Sequence, residues 1–356
     1  LKLCGADIHQ DYPGLGNACP ARFHRADVEL MKKAGMNFMR ASHYPRNQRV
    51  LDACDELGIL EMEEQPFWHG SLRGKHGGAL ITEARRLMRE MVAHHGNHPS
   101  IVMWNTVNEI MLVLPPDRQH LEPDERDHSN KLPRREWPYA RRLVAAMSDE
   151  LRRADPSRPV SVVIGGNWKL NEEAELTRMG DIVAYNGGAM HAEVDERPVY
   201  DILKEKNPRR ISMMSEGIIN DSPPMRADWE AELVQWETYA KHWRRLYARP
   251  WFCGGAMWVF ADYSAKGTYR NMGVVDDSRL PYEGYHFFRS QWSDELVAHI
   301  ACHWDWEERE GQPRRVVVFT NGESAELFLN GASLGVQTPV SEGSDGLPHP
   351  PVFVAV

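Results

Sequence analysis

Short apolar runs alternate with amphipathic segments along most of the chain. The runs at 1–8, 37–40, 58–63, 101–107, 160–164, 181–185, 211–214 and 256–260 are mostly continuous, not alternating. Continuous runs suit strands covered on both faces, as in a parallel sheet. Helical patterns lie between them. ARFHRADVELMKKAG carries Asp27 near its start and stops at Gly35. ITEARRLMREMVAHHGNHP places Leu87, Met91 and His94 on one face and closes with Gly96 and Pro99. DWEAELVQWETYAKHWRRLYARP and YEGYHFFRSQW follow the later runs. Eight strands alternating with helices over about 290 residues predict a (β/α)8 barrel. A doubly wound sheet is the rival, but no Gly-rich phosphate fingerprint follows the first run.

The rhythm changes after Trp292. RVVVFTNGESAELFLNGASLG holds two strand-like runs, each followed by an Asn-Gly turn signal. The expected organisation is a barrel over 1–293 and the start of a β-sandwich over 294–356, with an extra hairpin packed on the barrel as the alternative. The Pro- and charge-rich stretch 112–135 reads as a lid or binding loop, or as a disordered one.

Composition adds exclusions. The formal charge of -9 gives no footprint for nucleic acid or an anionic membrane. No apolar run approaches the roughly 18 residues that span a bilayer. Cys4, Cys19, Cys54, Cys253 and Cys302 are scattered, without a CxxC pair, and read as free thiols. The chain starts on Leu1 and stops in the apolar run 352–356, so it reads as a fragment. The absence of a signal peptide therefore leaves the compartment open, cytoplasmic or periplasmic/secreted.

In a (β/α)8 barrel, chemistry sits at the C-terminal ends of the strands. The polar residues there are Asp7 and His9; Arg40, Ser42 and His43; Glu61, Glu63 and Glu64; Asn108 and Glu109; Tyr185 and Asn186; Glu216; and Trp258 with Asp262. Burying a carboxylate is costly without a partner or a proton. Two facing carboxylates are the equipment of glycoside hydrolysis, and an indole offers a platform for a sugar ring. Taken singly, each residue has a structural explanation: a salt-bridge Glu, a satisfied His, a core Trp. Two Glu on the fourth and seventh strands, one preceded by Asn, are harder to explain that way. No HExxH occurs, which disfavours a zinc protease, and Ser215 precedes Glu216 without an adjacent base, which disfavours a serine hydrolase.

These residues resemble family 2 glycoside hydrolases, the group of β-galactosidases, β-glucuronidases and β-mannosidases. The resemblance runs through GADIHQDYPGLG, LMKKAGMNFMRASHYP, LDACDELGILEMEE, NHPSIVMWNTVNE, GAMWVFADY and YEGYHFFRSQW. VVVFTNGESAELFLNGASLG is similar to the immunoglobulin-like domain that follows the barrel. The resemblance implies an α/β fold: a (β/α)8 TIM barrel followed by a partial all-β immunoglobulin-like sandwich. It implies a retaining mechanism with Glu109 as acid/base and Glu216 as nucleophile, their carboxyls roughly 5–5.5 Å apart. Asn108 would bond the sugar 2-hydroxyl, His9 and His43 other hydroxyls, and Trp258 would line the subsite. Asp7, Arg40 and Tyr185 complete the expected substrate-binding set, with Arg40 also a donor to Glu216.

No cofactor is expected. In β-galactosidases that use Mg2+, a Glu and a His after the third strand are ligands; EEQPFWHG keeps His69 but no clear equivalent of that Glu. In β-glucuronidases an Asn and a Lys near the eighth strand hold the carboxylate; KGTYRNMGVVDD offers Lys266, Arg270 and Asn271 in a different pattern. The expected substrate is a β-linked saccharide, a β-galactoside first and a β-glucuronide second, and the assembly expected of the family is a homo-oligomer. A non-catalytic sugar binder on a decayed barrel is the reading from another class; it would have lost one of the two carboxylates.

Overall fold

The structure is a computed structural model. It describes residues 1–68, 77–113, 131–165, 168–187, 193–194, 197–217, 229–265, 268–301, 311, 315–340 and 347–355. Eight parallel strands close into a barrel: β1 (Leu3–Ile8), β2 (Phe38–Ala41), β3 (Leu60–Glu64), β4 (Ile101–Asn108), β5 (Val160–Ile164), β6 (Ile182–Asn186), β7 (Ile211–Gly217) and β8 (Phe252–Met257). Each is followed by a helix: α1 (Ala21–Lys33), α2 (Gln48–Leu57), α3 (Gly77–His95), α4 (Trp137–Ala154), α5 (Trp168–Glu173), α6 (Val199–Lys206), α7 (Trp229–Tyr247) and α8 (Glu283–Trp292). The chain order runs round the barrel, and β8 pairs with β1 to close it.

Local chemistry marks the elements. The Asn47 side chain accepts from Arg49 N and caps α2, and Gly58 ends that helix in the left-handed conformation. Within each strand, side chains alternate between the barrel interior and the helix layer. Leu3, Phe38, Met62, Met103, Val163 and Met213 form an apolar plug inside the barrel. Burying each contributes roughly 1.5–3 kcal/mol. The opposite faces pack against the helices, as Trp104, Val162 and Tyr185 do.

Two elements differ from the periodicity reading. The buried face of α3 is Ala84, Met88 and Met91, and His94 is exposed. His95 turns inward instead, because its Nδ1 lies 2.7 Å from the buried Glu63 carboxylate. The eighth strand runs over Phe252–Met257, earlier than the 256–260 expected from hydropathy. Its glycines hid it: a Cβ on Gly255 would stand 1.8 Å from the Met214 carbonyl oxygen, so only glycine lets β7 and β8 approach there.

The remaining strands are antiparallel. β9 (Tyr263–Ala265) and β10 (Thr268–Arg270) form a hairpin between β8 and α8. β11 (Ala298–Ala301), β12 (Arg315–Thr320) and β15 (Val352–Ala355) form one sheet; β13 (Ala325–Leu329) and β14 (Ala332–Gln337) form another. Asn330-Gly331 turns the β13–β14 hairpin with φ of 51° and 83°, as a type I′ turn requires. Asn321-Gly322 is not a hairpin turn. The Asn321 amide donates to the carbonyls of Ser293 and Glu295 and accepts from Val297 N, fastening β12 to the segment after α8. Phe319 meets Trp236 and Phe287 at 5.1 and 5.7 Å, so this all-β part shares a core with α7 and α8.

Candidate active site

Above the apolar plug the barrel interior turns polar, and Arg40 is its centre. Its side chain is fully buried. Nη1 donates to Asp7 Oδ1 at 3.0 Å, to the Ser215 carbonyl at 3.1 Å and to Glu216 Oε1 at 2.9 Å. Nη2 donates to Glu64 Oε2 at 2.9 Å and Asn108 Oδ1 at 2.8 Å, and Nε reaches Glu64 Oε2 at 3.1 Å. One guanidinium thus ties together strands β1, β2, β3, β4 and β7.

One positive charge among three carboxylates produces unequal acids. Burial pushes Glu64 up, but Arg40 and then His43 outweigh it and hold its carboxyl below the usual range. Asn105 Nδ2 donates to Glu64 at 2.8 Å, and Ser161 Oγ donates to Asn105 Oδ1 at 2.8 Å. Asp7 is held well above the usual range by burial, against Arg40, and its Oδ2 has no partner among the described residues. Glu216 is raised by burial; Arg40 and His43 pull it down, and the Glu109 charge pushes it up. That last effect places Glu109 and Glu216 within electrostatic reach of one another.

Glu109 follows β4 with φ of 48°. Its carboxylate occupies the space over Gly165 at the end of β5, where an added Cβ would stand 1.7 Å from Oε1. Asn108 Oδ1 accepts from Arg40 and from Asn186 Nδ2, and Ser215 Oγ donates to Asn186 Oδ1 at 2.6 Å. These bonds orient the Asn108 amide. Its Nδ2 is buried with no hydrogen-bond partner among the described residues. An unpaired buried donor costs roughly 1–3 kcal/mol, which a bound acceptor would offset.

Aromatic rings form the rim. His43 stacks on Trp258 at 5.4 Å and on Trp68 at 6.2 Å. Its Nδ1 lies 2.8 Å from Glu64 Oε1 and its Nε2 3.5 Å from Glu216 Oε1. His9 stands edge-on to Trp258 at 5.5 Å and 4.4 Å from the Tyr263 ring. Burial, then His43, pulls His9 down to about 3, so it is a neutral imidazole that can both donate and accept.

Asp7, His9, Arg40, His43, Asn108, Glu109, Glu216 and Trp258 therefore converge on one barrel mouth. Tyr185 does not. It points into the helix layer, and its strand neighbour Asn186 faces the mouth. The reason is the two-residue period of a strand. Glu61 and Glu63 also turn outward, held by Arg46 and His95. Sequence reasoning passed over Trp68, Asn105, Ser161 and Gly165. A Trp just past the third strand was a usable signal for Trp68; nothing local marked the others.

His69 and Lys266 lie outside the described residues, as does most of the 112–135 loop. Glu63 and Glu64, six and five positions before His69 in the sequence, are already engaged by His95, Arg46, Arg40, His43 and Asn105. They do not fit a Mg2+ site, and no step is assigned to that ion. Among the described residues no helix is long and apolar enough to cross a membrane.

A closed (β/α)8 barrel with paired carboxylates and an aromatic rim at its C-terminal mouth has the form of a glycoside hydrolase barrel. The chain belongs to glycosyl hydrolases family 2: residues 1–273 match its TIM barrel domain. Residues 311–347 match a domain of unknown function, DUF4982. The chain is similar to a β-galactosidase of Thermoanaerobacter pseudethanolicus, 30% identical over 365 residues, covering 99% of this chain and 43% of that protein. It is also similar to a β-glucuronidase of Bacteroides fragilis, 26% identical over 367 residues, covering 95% of this chain and 48% of that protein. Among solved structures, Bacteroides uniformis β-glucuronidase 2 covalently bound to cyclophellitol-6-carboxylate aziridine superposes with a TM-score of 0.78 at 27% identity, covering 100% of this chain and 42% of that one. The chain spans less than half the length of these relatives.

Proposed function

We propose that the chain is the catalytic barrel of a retaining exo-β-glycosidase, with Glu109 as acid/base and Glu216 as nucleophile. The observation that carries this reading is the meeting of two carboxyls at one barrel mouth, within electrostatic reach of one another. Glu216 receives a guanidinium hydrogen bond from Arg40 and faces His43, which offset part of the cost of burying its charge. Glu109 lies across the mouth, against Gly165. In the first step Glu109 gives its proton to the leaving oxygen while Glu216 attacks the anomeric carbon and forms a glycosyl ester. Esterified, Glu216 carries no charge; water then attacks the anomeric carbon, giving a proton to the now ionised Glu109, and the ester bond breaks to release the sugar and the Glu216 carboxylate. The Asn108 amide would meet the sugar 2-hydroxyl with the donor that has no hydrogen-bond partner among the described residues.

For the sugar, a neutral β-galactoside is the first reading. Three carboxylates already share the single charge of Arg40 at the mouth, which disfavours a further anion. A β-glucuronide is the second reading, because Arg270 on β10 lies within electrostatic reach of Tyr263 at the rim and the relatives include β-glucuronidases. A panel of nitrophenyl glycosides separates them: the galactoside is expected to be cleaved fastest. Cleavage of the glucuronide alone would transfer the assignment to the second reading.

Gly165→Ala is expected to push the Glu109 carboxylate out of place. Misplacement by about 1 Å costs on the order of a hundredfold in turnover. Steady-state kinetics beside a circular dichroism spectrum tests this; full activity in a folded variant would mean that Glu109 works from elsewhere.

A further inference from the structure

Glu64, at the end of β3, is fully buried, and both of its oxygens are committed. Oε2 accepts from Arg40 Nε, Arg40 Nη2 and Asn105 Nδ2 at 3.1, 2.9 and 2.8 Å. Oε1 meets His43 Nδ1 at 2.8 Å. Two acceptors do not approach that closely, so a proton lies between them. Burial alone would protonate Glu64, but Arg40 and His43 hold its carboxyl below the usual range, so the proton belongs to the ring. Arg40 cannot stand in for it. Its Nη2, 3.4 Å from Nδ1, has two hydrogens, and Glu64 Oε2 and Asn108 Oδ1 take both. His43 therefore keeps a hydrogen on Nδ1 whether the ring is neutral or charged.

The consequence falls on the other nitrogen. Nε2 lies 3.5 Å from Glu216 Oε1, and stacking on Trp258 and Trp68 holds the ring in that direction. A charged ring donates from Nε2 to Glu216. A neutral ring has its lone pair there and accepts from a hydroxyl. Which nitrogen is bare in the neutral ring is thus decided by Glu64, from the side away from Glu216.

We propose that Glu64 is a positioning residue: it keeps the proton of neutral His43 on Nδ1, so that Nε2 is presented to a substrate hydroxyl beside Glu216. The hydroxyl rests on the glycosidase reading above; the tautomer does not. Glu64→Gln tests both. Its amide oxygen must take the place of Oε2, because the Arg40 N–H groups there cannot become acceptors. The amide NH2 then meets Nδ1, which must accept, and the ring proton goes to Nε2. An amide in place of a carboxylate behind a histidine can reverse the tautomer and leave the geometry intact.

Long-range 1H–15N spectra of protein labelled with 15N-histidine, at about pH 8 where an ordinary imidazole is neutral, report the tautomer. The His43 signals, assigned by their loss in His43→Gln, should show Nδ1–H in wild type and Nε2–H in Glu64→Gln. On the nitrophenyl glycoside of the accepted sugar, kcat/KM should fall about tenfold to a hundredfold in Glu64→Gln, the cost of setting a donor against a hydroxyl. On the one monodeoxy glycoside that lacks this hydroxyl, the two proteins should have equal rates. A fall of equal size on every substrate would show a merely structural Glu64 and overturn the proposal. A wild-type proton on Nε2, alone or with Nδ1, or the same tautomer in both proteins, would also overturn it. The wild-type spectrum does so even if Glu64→Gln fails to fold. If wild type cleaves no glycoside, it is the glycosidase reading that fails, and reversal or retention of the tautomer then supports or overturns the role of Glu64.

Discussion

Glu216→Ala is expected to lower turnover of every glycoside the protein hydrolyses by at least about ten-thousandfold, since a nucleophile removed leaves only binding and orientation. Added azide should restore turnover and yield the glycosyl azide of inverted configuration, because a small anion fits the space the carboxylate leaves. An unchanged rate would transfer the nucleophile role to another group. The same assignment sets the acid limb of the pH profile. Glu216 must be ionised to attack, and burial raises its pKa above the ordinary carboxylate value. Activity should therefore fall with decreasing pH at a point above roughly 4.3, the ordinary Glu value. A kcat/KM profile that stays flat to lower pH contradicts this.

Arg40→Met should be the most destabilising single change at the mouth. The methionine fills much of the stem, but Asp7, Glu64 and Glu216 then share a buried interior without their cation. Removing one partner of a buried ionic cluster costs about 3–5 kcal/mol. The pH dependence gives the signature. Uncompensated buried carboxyls have folded-state pKa values above their unfolded ones, so the folded state binds more protons and gains stability as the pH falls toward the unfolded values. The deficit should thus be largest near neutral pH and shrink on acidification toward about pH 5. Urea unfolding of wild type and variant across that range measures it. A deficit under about 1 kcal/mol, the size of an exposed ion pair, and independent of pH would show that Arg40 is not the central counterion.

Glu216 itself shows how the sequence can suggest a residue without placing it. ISMMSEG reads as a strand ending in a carboxylate, but its partner Arg40 lies 176 positions away. No local pattern reports such a pairing. Likewise Glu64 was visible as a strand-end acid, while its support from Asn105 and Ser161 runs across β3, β4 and β5. Gly165 carries no signal in the sequence. Its missing side chain matters only because Glu109, from another strand, fills the space.

The sequence by itself pointed to the barrel, since eight apolar runs separated by amphipathic segments, without a Gly-rich phosphate fingerprint after the first, suit a closed ring of parallel strands covered by helices. It also placed Asn108, Glu109, Arg40, His43 and Trp258 at one end of that barrel, because polar residues closing buried strands must meet solvent or one another. Only the tertiary structure decided which neighbour in a strand faces inward. Tyr185 and Asn186 are equally polar on paper, and a one-residue step reverses the side of the sheet each occupies. It alone also decided where protons and charges rest, since the pKa of a buried acid depends on every charge brought near it by the fold, whatever the distance along the chain.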